Sequence, residues 1–482
     1  MTVRRAPDIR SELDHPVVDV DAHVVEHSGV FLEYLADEAG PAMVDRYRTG
    51  AMTRQYAGLG GWTTAPEEQR RREGLPMPQW WGVPADALDR ATAYAPGLLR
   101  DRLDELGIDF AVIYPSLGMS LLPLEDAELR QSACRAYNRY LQTSTRGFAD
   151  RLTVAALVPM HTPDEAVAAL DHAVLELGAR VVLCSGYVRR PVPGLADQPV
   201  RVDTFGIDSD HDYDPVWRRC VELGVAATFH SSSHGFGFQN SSSRFMYNHI
   251  GKFSAPGEAS AKSLFFGGVP HRFPTLRFAW MEGGASWGAQ LLHALVDRWH
   301  KRGGPNIDRL DPAHVELVEY ARLLETHGSA ALTGPSGQQQ APRLELDDAH
   351  PTILDDFHAC GIDGPEDIVR QFDRFHFGCE ADDRTTAWAF DRRANPGGAR
   401  VRAMFGSDVG HWDVEDARDV LPEAAELLDE GLLTAEDFRE YVCDSAIVLH
   451  GSLNPTFFDG TPVETYARGL LGLPVESAGS EH

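Results

Sequence analysis

Lysine is nearly absent from this chain. Lys252, Lys262 and Lys301 are the three present, and the other 41 of its 44 basic residues are arginine. Positive charge as a whole is short: 72 acidic residues leave a formal net charge of −28. That balance excludes binding of nucleic acid or an anionic membrane through bulk electrostatics. Cysteine is sparse and scattered, at positions 134, 184, 220, 360, 379 and 443. With no close pairs, a disulfide framework or a cysteine zinc site is not expected, and buried free thiols are. No run of 18 apolar residues occurs, so no transmembrane helix is expected. The start, from Met1 to Asp8, lacks the apolar stretch of a signal peptide, which gives a soluble cytoplasmic protein as the expectation. Internal repeats are absent as well.

What the chain does have is alternation of short apolar strands with helical stretches. Thr162-Pro163 opens one helix, Leu170, Val174 and Leu177 mark its apolar face, Gly178 closes it, and Arg180–Leu183 reads as the next strand. The following unit is built alike. Asp214 is placed to cap a helix with proline at its first turn, Val216, Trp217, Cys220, Val221 and Leu223 follow at helical spacing, and Gly224 ends it before the strand Val225–Phe229. Eight strands are counted in this way, centred on Val18, Val112, Val154, Val182, Thr228, Phe278, Phe377 and Met404. Eight such units predict an α/β fold, a single (β/α)8 TIM barrel with long inserted loops over its C-terminal face. A doubly wound open sheet is the alternative. The barrel is expected over 15–455, after an N-terminal extension (1–14) and before a C-terminal tail (456–482). Insertions fall near 27–100, 231–265 and 300–370.

In a barrel the C-terminal ends of the strands converge on one face. The first strand ends Val17-Val18-Asp19-Val20-Asp21-Ala22-His23-Val24-Val25-Glu26. Residues two apart share a face of a strand, so Asp21 and His23 aim at one point, and Glu26 follows on the loop. His230 ends the fifth strand, Glu282 the sixth, and Asp408 the eighth; the seventh leads to Glu380. Each alone has an ordinary explanation. A single His230 is most often a hydrogen-bonded structural histidine, Asp408 after Gly406-Ser407 a helix cap, and Glu282 before two glycines a loop carboxylate. Ionisable residues recurring at one topological position point instead to a divalent-metal site. His234, Arg244, Glu380 and His411 are weaker candidates for the substrate pocket. Arg272 is a further candidate for holding an anion, with surface arginine the plainer reading of it and of Arg244. Trp80, Trp81, Trp287 and Trp412 read as core.

With these residues in view, the chain resembles the amidohydrolase superfamily, in the branch that includes aminocarboxymuconate semialdehyde decarboxylase and the aromatic-acid decarboxylases. The resemblance spans roughly residues 15 to 455 and extends to Arg102–Asp109 and Arg272–Phe278 ahead of the second and sixth strands. It implies a metal pair on strand one, matched by Asp21 and His23, a strand-five histidine matched by His230 and a strand-eight aspartate matched by Asp408. Two departures stand out. Glu282 occupies the place where the decarboxylases carry a histidine. The fourth strand ends Leu183-Cys184-Ser185, without the carboxylated lysine that bridges two metals elsewhere in the superfamily.

Two chemistries follow. The first is metal-dependent hydrolysis or decarboxylation of a small organic acid, amide or ester, with Glu282 and Asp408 as catalytic acid or base. The second counts His23 and His230 with Asp21, Glu26, Glu282 and Asp408, a two-histidine, four-carboxylate set that suits dinuclear iron or manganese; the superfamily resemblance extends this to a dinuclear iron monooxygenase acting on an apolar, for example terpenoid, substrate. A metal kept only for structure fits less well, since structural sites close with protein ligands rather than opening at a barrel mouth. The expected cofactor is one or two divalent ions of zinc, manganese or iron. The expected partner is a small-molecule substrate, and the resemblance implies a homodimer.

Overall fold

The computed structural model describes residues 4–50, 59–78, 82–192, 200–230, 241–310, 314–329 and 355–474. Ten strands are found among them: β1 (Val18–Val24), β2 (Phe110–Pro115), β3 (Leu152–Val158), β4 (Val181–Cys184), β5 (Val188–Pro191), β6 (Val200–Asp203), β7 (Ala227–Phe229), β8 (Phe278–Trp280), β9 (Phe375–Glu380) and β10 (Arg402–Gly406). All eight strands expected from the sequence are present.

The main sheet runs β1-β2-β3-β4-β7-β8-β9-β10, and each neighbouring pair is parallel. The order follows the chain without reversal, which rules out the doubly wound alternative. Its strands are buried almost throughout, as parallel strands covered on both faces must be. The first and last strands meet just beyond β10. Asp408 donates its backbone N–H to the Asp21 carbonyl, and His23 donates to the Val409 carbonyl, each at 2.9 Å. Asp19 strengthens this seam. Its carboxylate accepts from the Ser407 N–H at 3.0 Å and the Ser407 hydroxyl at 2.6 Å. Gly406 lets β10 approach so closely, because a Cβ there would lie 2.8 Å from the Cβ of Asp21.

The alternating units match the sequence reading, with one correction. Thr162 caps the helix Pro163–Asp171, its hydroxyl accepting the Glu165 N–H at 3.2 Å. Asp214, expected as a cap, is the first residue of the helix Asp214–Leu223. Its carboxylate is taken by Arg272 at 2.7 and 2.9 Å, an ion pair that outcompetes the local N–H groups. The antiparallel hairpin of β5 and β6 was not expected. β5 reads Val188-Arg189-Arg190-Pro191, with no apolar alternation, and β6 alternates over Val200–Asp203 alone, a run too short to stand out.

Trp287 lies in the core as expected, 7% exposed and 4.8 Å from Phe377 between ring centres. Trp80 and Trp81 lie outside the described residues. No helix among the described residues is long and apolar enough to cross a membrane.

Candidate metal centre

The seam between β1 and β10 fixes the site. Asp21 and His23 stand on β1 next to a register shift between Asp19 and Ala22. Asp19 accepts the Asp21 N–H at 3.0 Å, which holds the irregular turn of strand in place. His230 directly follows β7. Glu282 and Asp408 follow β8 and β10, and both have left-handed backbone, with φ of 57° and 49°. Such a conformation costs a non-glycine residue about 1–3 kcal/mol and persists where the surroundings impose it, most often at functional sites. Around Glu282 the surroundings are the Met281 N–H bonded to the Phe229 carbonyl at 2.9 Å and the Gly284 N–H bonded to the Gly378 carbonyl at 3.0 Å.

Five side chains meet. His23 Nε2 and His230 Nε2 are 3.1 Å apart. Asp21 Oδ1 lies 3.2 Å from His230 Nε2 and 3.4 Å from His23 Nε2. Glu282 Oε2 is 3.2 Å from His230 Nε2, and Asp408 Oδ1 is 3.3 Å from His23 Nε2. All five residues are at most 7% exposed. Ligand atoms about 2.1 Å from one cation, at tetrahedral or octahedral angles, stand about 3.0–3.4 Å from one another. The observed spacings fall in that range. Asp21 Oδ1 and Asp408 Oδ2 are buried without a hydrogen-bond partner, a costly arrangement for carboxylates unless a cation meets them. The residues therefore fit a divalent metal ion and are able to hold one.

Three groups of ligand atoms overlap here, each with its atoms within 4.8 Å of one another: Asp21, His23, His230 and Glu282; His23, Glu282, Asp408 and His411; and Glu282, Glu380 and Asp413. Crowding splits the acidities. Burial would raise Asp21, but His230 and His23 outweigh it and hold the carboxyl below its ordinary range. Glu282 is raised well above that range by burial and then by Asp21, Glu380 and Asp413, with Lys252 opposing. Burial and then Glu282 raise Asp408 in the same sense. Glu380 is pushed up to about 8 by burial and Asp413. A divalent cation supplies the positive charge that such a set of carboxylates lacks.

The sequence candidates separate clearly. Asp21, His23, His230, Glu282 and Asp408 converge, and Glu380 joins their edge. His411 is closer in than expected: its Nδ1 lies 2.7 Å from Asp408 Oδ1, its Nε2 is 2.9 Å from Ser116 Oγ, and its ring stacks on His23 at 3.9 Å. Glu26 stands apart from the three groups. Its oxygens accept the backbone N–H groups of Ser116 (3.0 Å) and Leu117 (2.7 Å), where the chain leaves β2. Burial still raises its carboxyl to about 7 against these bonds. Arg244 is exposed and donates to the Ser243 carbonyl at 2.8 Å, ahead of the short helix Phe245–His249. Arg272 is tied to Asp214, ahead of β8 and outside the ligand cluster. His234 lies outside the described residues. Trp412, expected in the core, is half-buried beside Phe245 and His249, at 6.0 and 5.6 Å between ring centres. Asp413 and Lys252 were missed. Neither ends a strand, and strand ends were the signal followed.

A family profile described as Amidohydrolase matches residues 18–449. The chain belongs to the amidohydrolase family. It is therefore an enzyme of that family, and its barrel is the expected one. Among solved structures, an amidohydrolase from Mycobacterium avium subsp. paratuberculosis K-10 is similar with a TM-score of 0.52 and 19% identity, over 91% of this chain and 100% of that one. That likeness is one of fold. A 2,6-dihydroxybenzoate decarboxylase from Rhizobium gives a TM-score of 0.48 at 14% identity, over 90% of this chain and 98% of that one. A dihydroxybenzoic acid decarboxylase from Polaromonas sp. JS666, solved with manganese and 2-nitroresorcinol, gives 0.45 at 15%, over 90% and 97%. No curated protein matches this amidohydrolase in sequence.

Proposed function

We propose that this enzyme hydrolyses or decarboxylates a small organic acid, amide or ester at a divalent cation. Asp21, His23 and His230 hold the ion, Asp408 stands against His23 at its edge, and Glu282 carries the proton. The observation behind this reading is that His23 and His230 meet at 3.1 Å, with Asp21 within 3.4 Å of both, Glu282 3.2 Å from His230 and Asp408 3.3 Å from His23, at the mouth of an amidohydrolase-family barrel. When bound, such an ion polarises a carbonyl or brings the pKa of a water toward neutrality. Imidazole with hard carboxylate oxygens suits zinc, manganese or iron.

The chain's own residues do the rest. Glu282, buried among other carboxylates, keeps its proton to a higher pH than an ordinary glutamate, so it can deliver one to a leaving atom or to a carbon that has lost carboxylate. Its left-handed backbone fixes the carboxyl beside His230. His411, held between Ser116 and Asp408, orients the Asp408 carboxylate. A second ion has a place in the group His23, Glu282, Asp408 and His411, which shares two members with the first. Neither the family nor the solved structures support the dinuclear iron oxygenase, and Glu26, one of its possible bridges, is held by Ser116 and Leu117.

The test is a turnover screen over carboxylic acids, amides and esters with protein treated with chelator and then reloaded. Chelation should abolish turnover, and added Mn²⁺ or Zn²⁺ should restore it. Released CO₂ marks decarboxylation, and a freed amine or alcohol marks hydrolysis. Turnover that survives complete metal removal would overturn the proposal.

A further inference from the structure

Glu26 is 3% exposed and belongs to none of the three ligand groups. Its carboxylate gathers backbone N–H groups instead. Ser116 and Leu117 donate at 3.0 and 2.7 Å, and the N–H groups of Gly118 and of Glu26 itself face the same carboxylate. Ser116 directly follows β2 and shares its N–H with the Val24 carbonyl, at 3.1 Å, where β1 ends. The turn that starts here has no slack, since a Cβ on Gly118 would run into the Tyr137 ring. Ser116 is thus fixed from two sides, by Glu26 and by the packing of Gly118 on Tyr137.

The hydroxyl so fixed points away from its own turn. Ser120, four residues on, donates its hydroxyl to the Leu117 carbonyl at 2.7 Å, as serines beside a helical turn commonly do. Ser116 Oγ lies instead 2.9 Å from His411 Nε2, 295 residues away in the chain. The other ring nitrogen, His411 Nδ1, is 2.7 Å from Asp408 Oδ1, and that oxygen is 3.3 Å from His23 Nε2. Beside a cation Asp408 is ionised, and an ionised carboxylate only accepts hydrogen bonds. The short contact therefore puts the imidazole hydrogen on Nδ1. A neutral ring is then bare at Nε2 and takes a hydrogen bond there, which the Ser116 hydroxyl is placed to give.

We propose that Ser116, locked by Glu26, is a positioning residue of the centre: its hydroxyl donates to His411 Nε2 and so commits the Nδ1 hydrogen to Asp408. The chain Glu26–Ser116–His411 then holds the Asp408 carboxylate at the edge of the cation. A hydrogen and a metal ion exclude one another at Nδ1, so His411 serves Asp408 rather than a second ion. This rests on the reading of the cluster as a metal site and goes beyond it by assigning Glu26 and Ser116, which touch no ion.

The test reads the His411 ring by ¹⁵N NMR in the full chain, with ¹⁵N in its histidines alone and one equivalent of Zn²⁺ added. The two ring signals are assigned by their loss in His411→Gln. Wild-type protein should carry hydrogen on Nδ1 and a bare Nε2. In Ser116→Ala the Nε2 signal should shift as its donor is lost, and Zn²⁺ affinity, measured against a competing chelator, should fall about tenfold, the lower end of the loss when an outer partner of a metal centre is removed. Ser116→Thr keeps the hydroxyl and should restore both. Glu26→Gln sets an amide NH₂ against the backbone donors and should shift the ring signal in the same sense as Ser116→Ala. Hydrogen on Nε2 in the wild type, a zinc-bound Nδ1, an unchanged ring signal in Ser116→Ala or Glu26→Gln, or a loss that Ser116→Thr does not restore would overturn the proposal, while zinc uptake keeps the metal-site reading. A wild-type chain that takes up no Zn²⁺ would overturn that reading, and the proposal with it.

Discussion

Replacing His230 with alanine should strip the centre of its cation and lower turnover by about 10³-fold or more, while the barrel stays folded. The size follows from the several kcal/mol that a metal ion contributes to stabilising developing charge. The retention of fold follows from where His230 sits. It comes after β7, beyond the ladder that pairs β7 with β4 and β8, so no strand pairing depends on its side chain. His230 Nε2 contacts His23, Asp21 and Glu282 at 3.1–3.2 Å, and one substitution therefore removes a donor shared by three others. Elemental analysis with a thermal melt checks both halves. Metal content equal to wild type would show that His230 is not a ligand.

The ligands on β1 were legible because strand geometry is simple. A period of two puts Asp21 and His23 on one face, and the register shift before Ala22 left that pairing intact. His230, Glu282 and Asp408 were legible because each follows an apolar run at the same end of a strand. The same logic misplaced Glu26. Sequence shows a carboxylate after β1, but only the fold shows that the backbone leaving β2 presents two N–H groups to it. His411 and Asp413 were hard to read for a related reason. They lie past β10, where Gly410 with φ of 117° passes against the His23 carbonyl, and a Cβ at that position would come within 2.9 Å of it. That turn folds His411 back onto His23, and no periodicity announces it. Lys252 lies in an insertion, where sequence patterns say least about direction. The barrel itself was plain, since helix caps, closing glycines and apolar strands recur in the same order.

Glu282→Gln should cost turnover about 10²–10⁴-fold and leave the metal bound. The amide keeps the shape of the side chain and loses the ionisable proton. The wild-type carboxyl is raised well above its ordinary range by burial and then by Asp21, Glu380 and Asp413, which suits it to giving up a proton as an acid. Glutamine also removes one of the crowded carboxylates, which leaves no like-charge reason for the fold to suffer. A kinetic profile beside metal analysis separates the possible roles. Loss of an ion would make Glu282 a ligand first, as its 3.2 Å approach to His230 permits. Unchanged turnover with unchanged metal would return it to an ordinary loop carboxylate.

The account rests on Asp21, His23 and His230 meeting around one cation. Anomalous diffraction from crystals grown with Mn²⁺ measures that directly. The predicted result is a strong peak about 2.0–2.3 Å from Asp21 Oδ1, His23 Nε2 and His230 Nε2. Full-strength density for these side chains with no peak between them, or a peak held elsewhere in the chain, would contradict it.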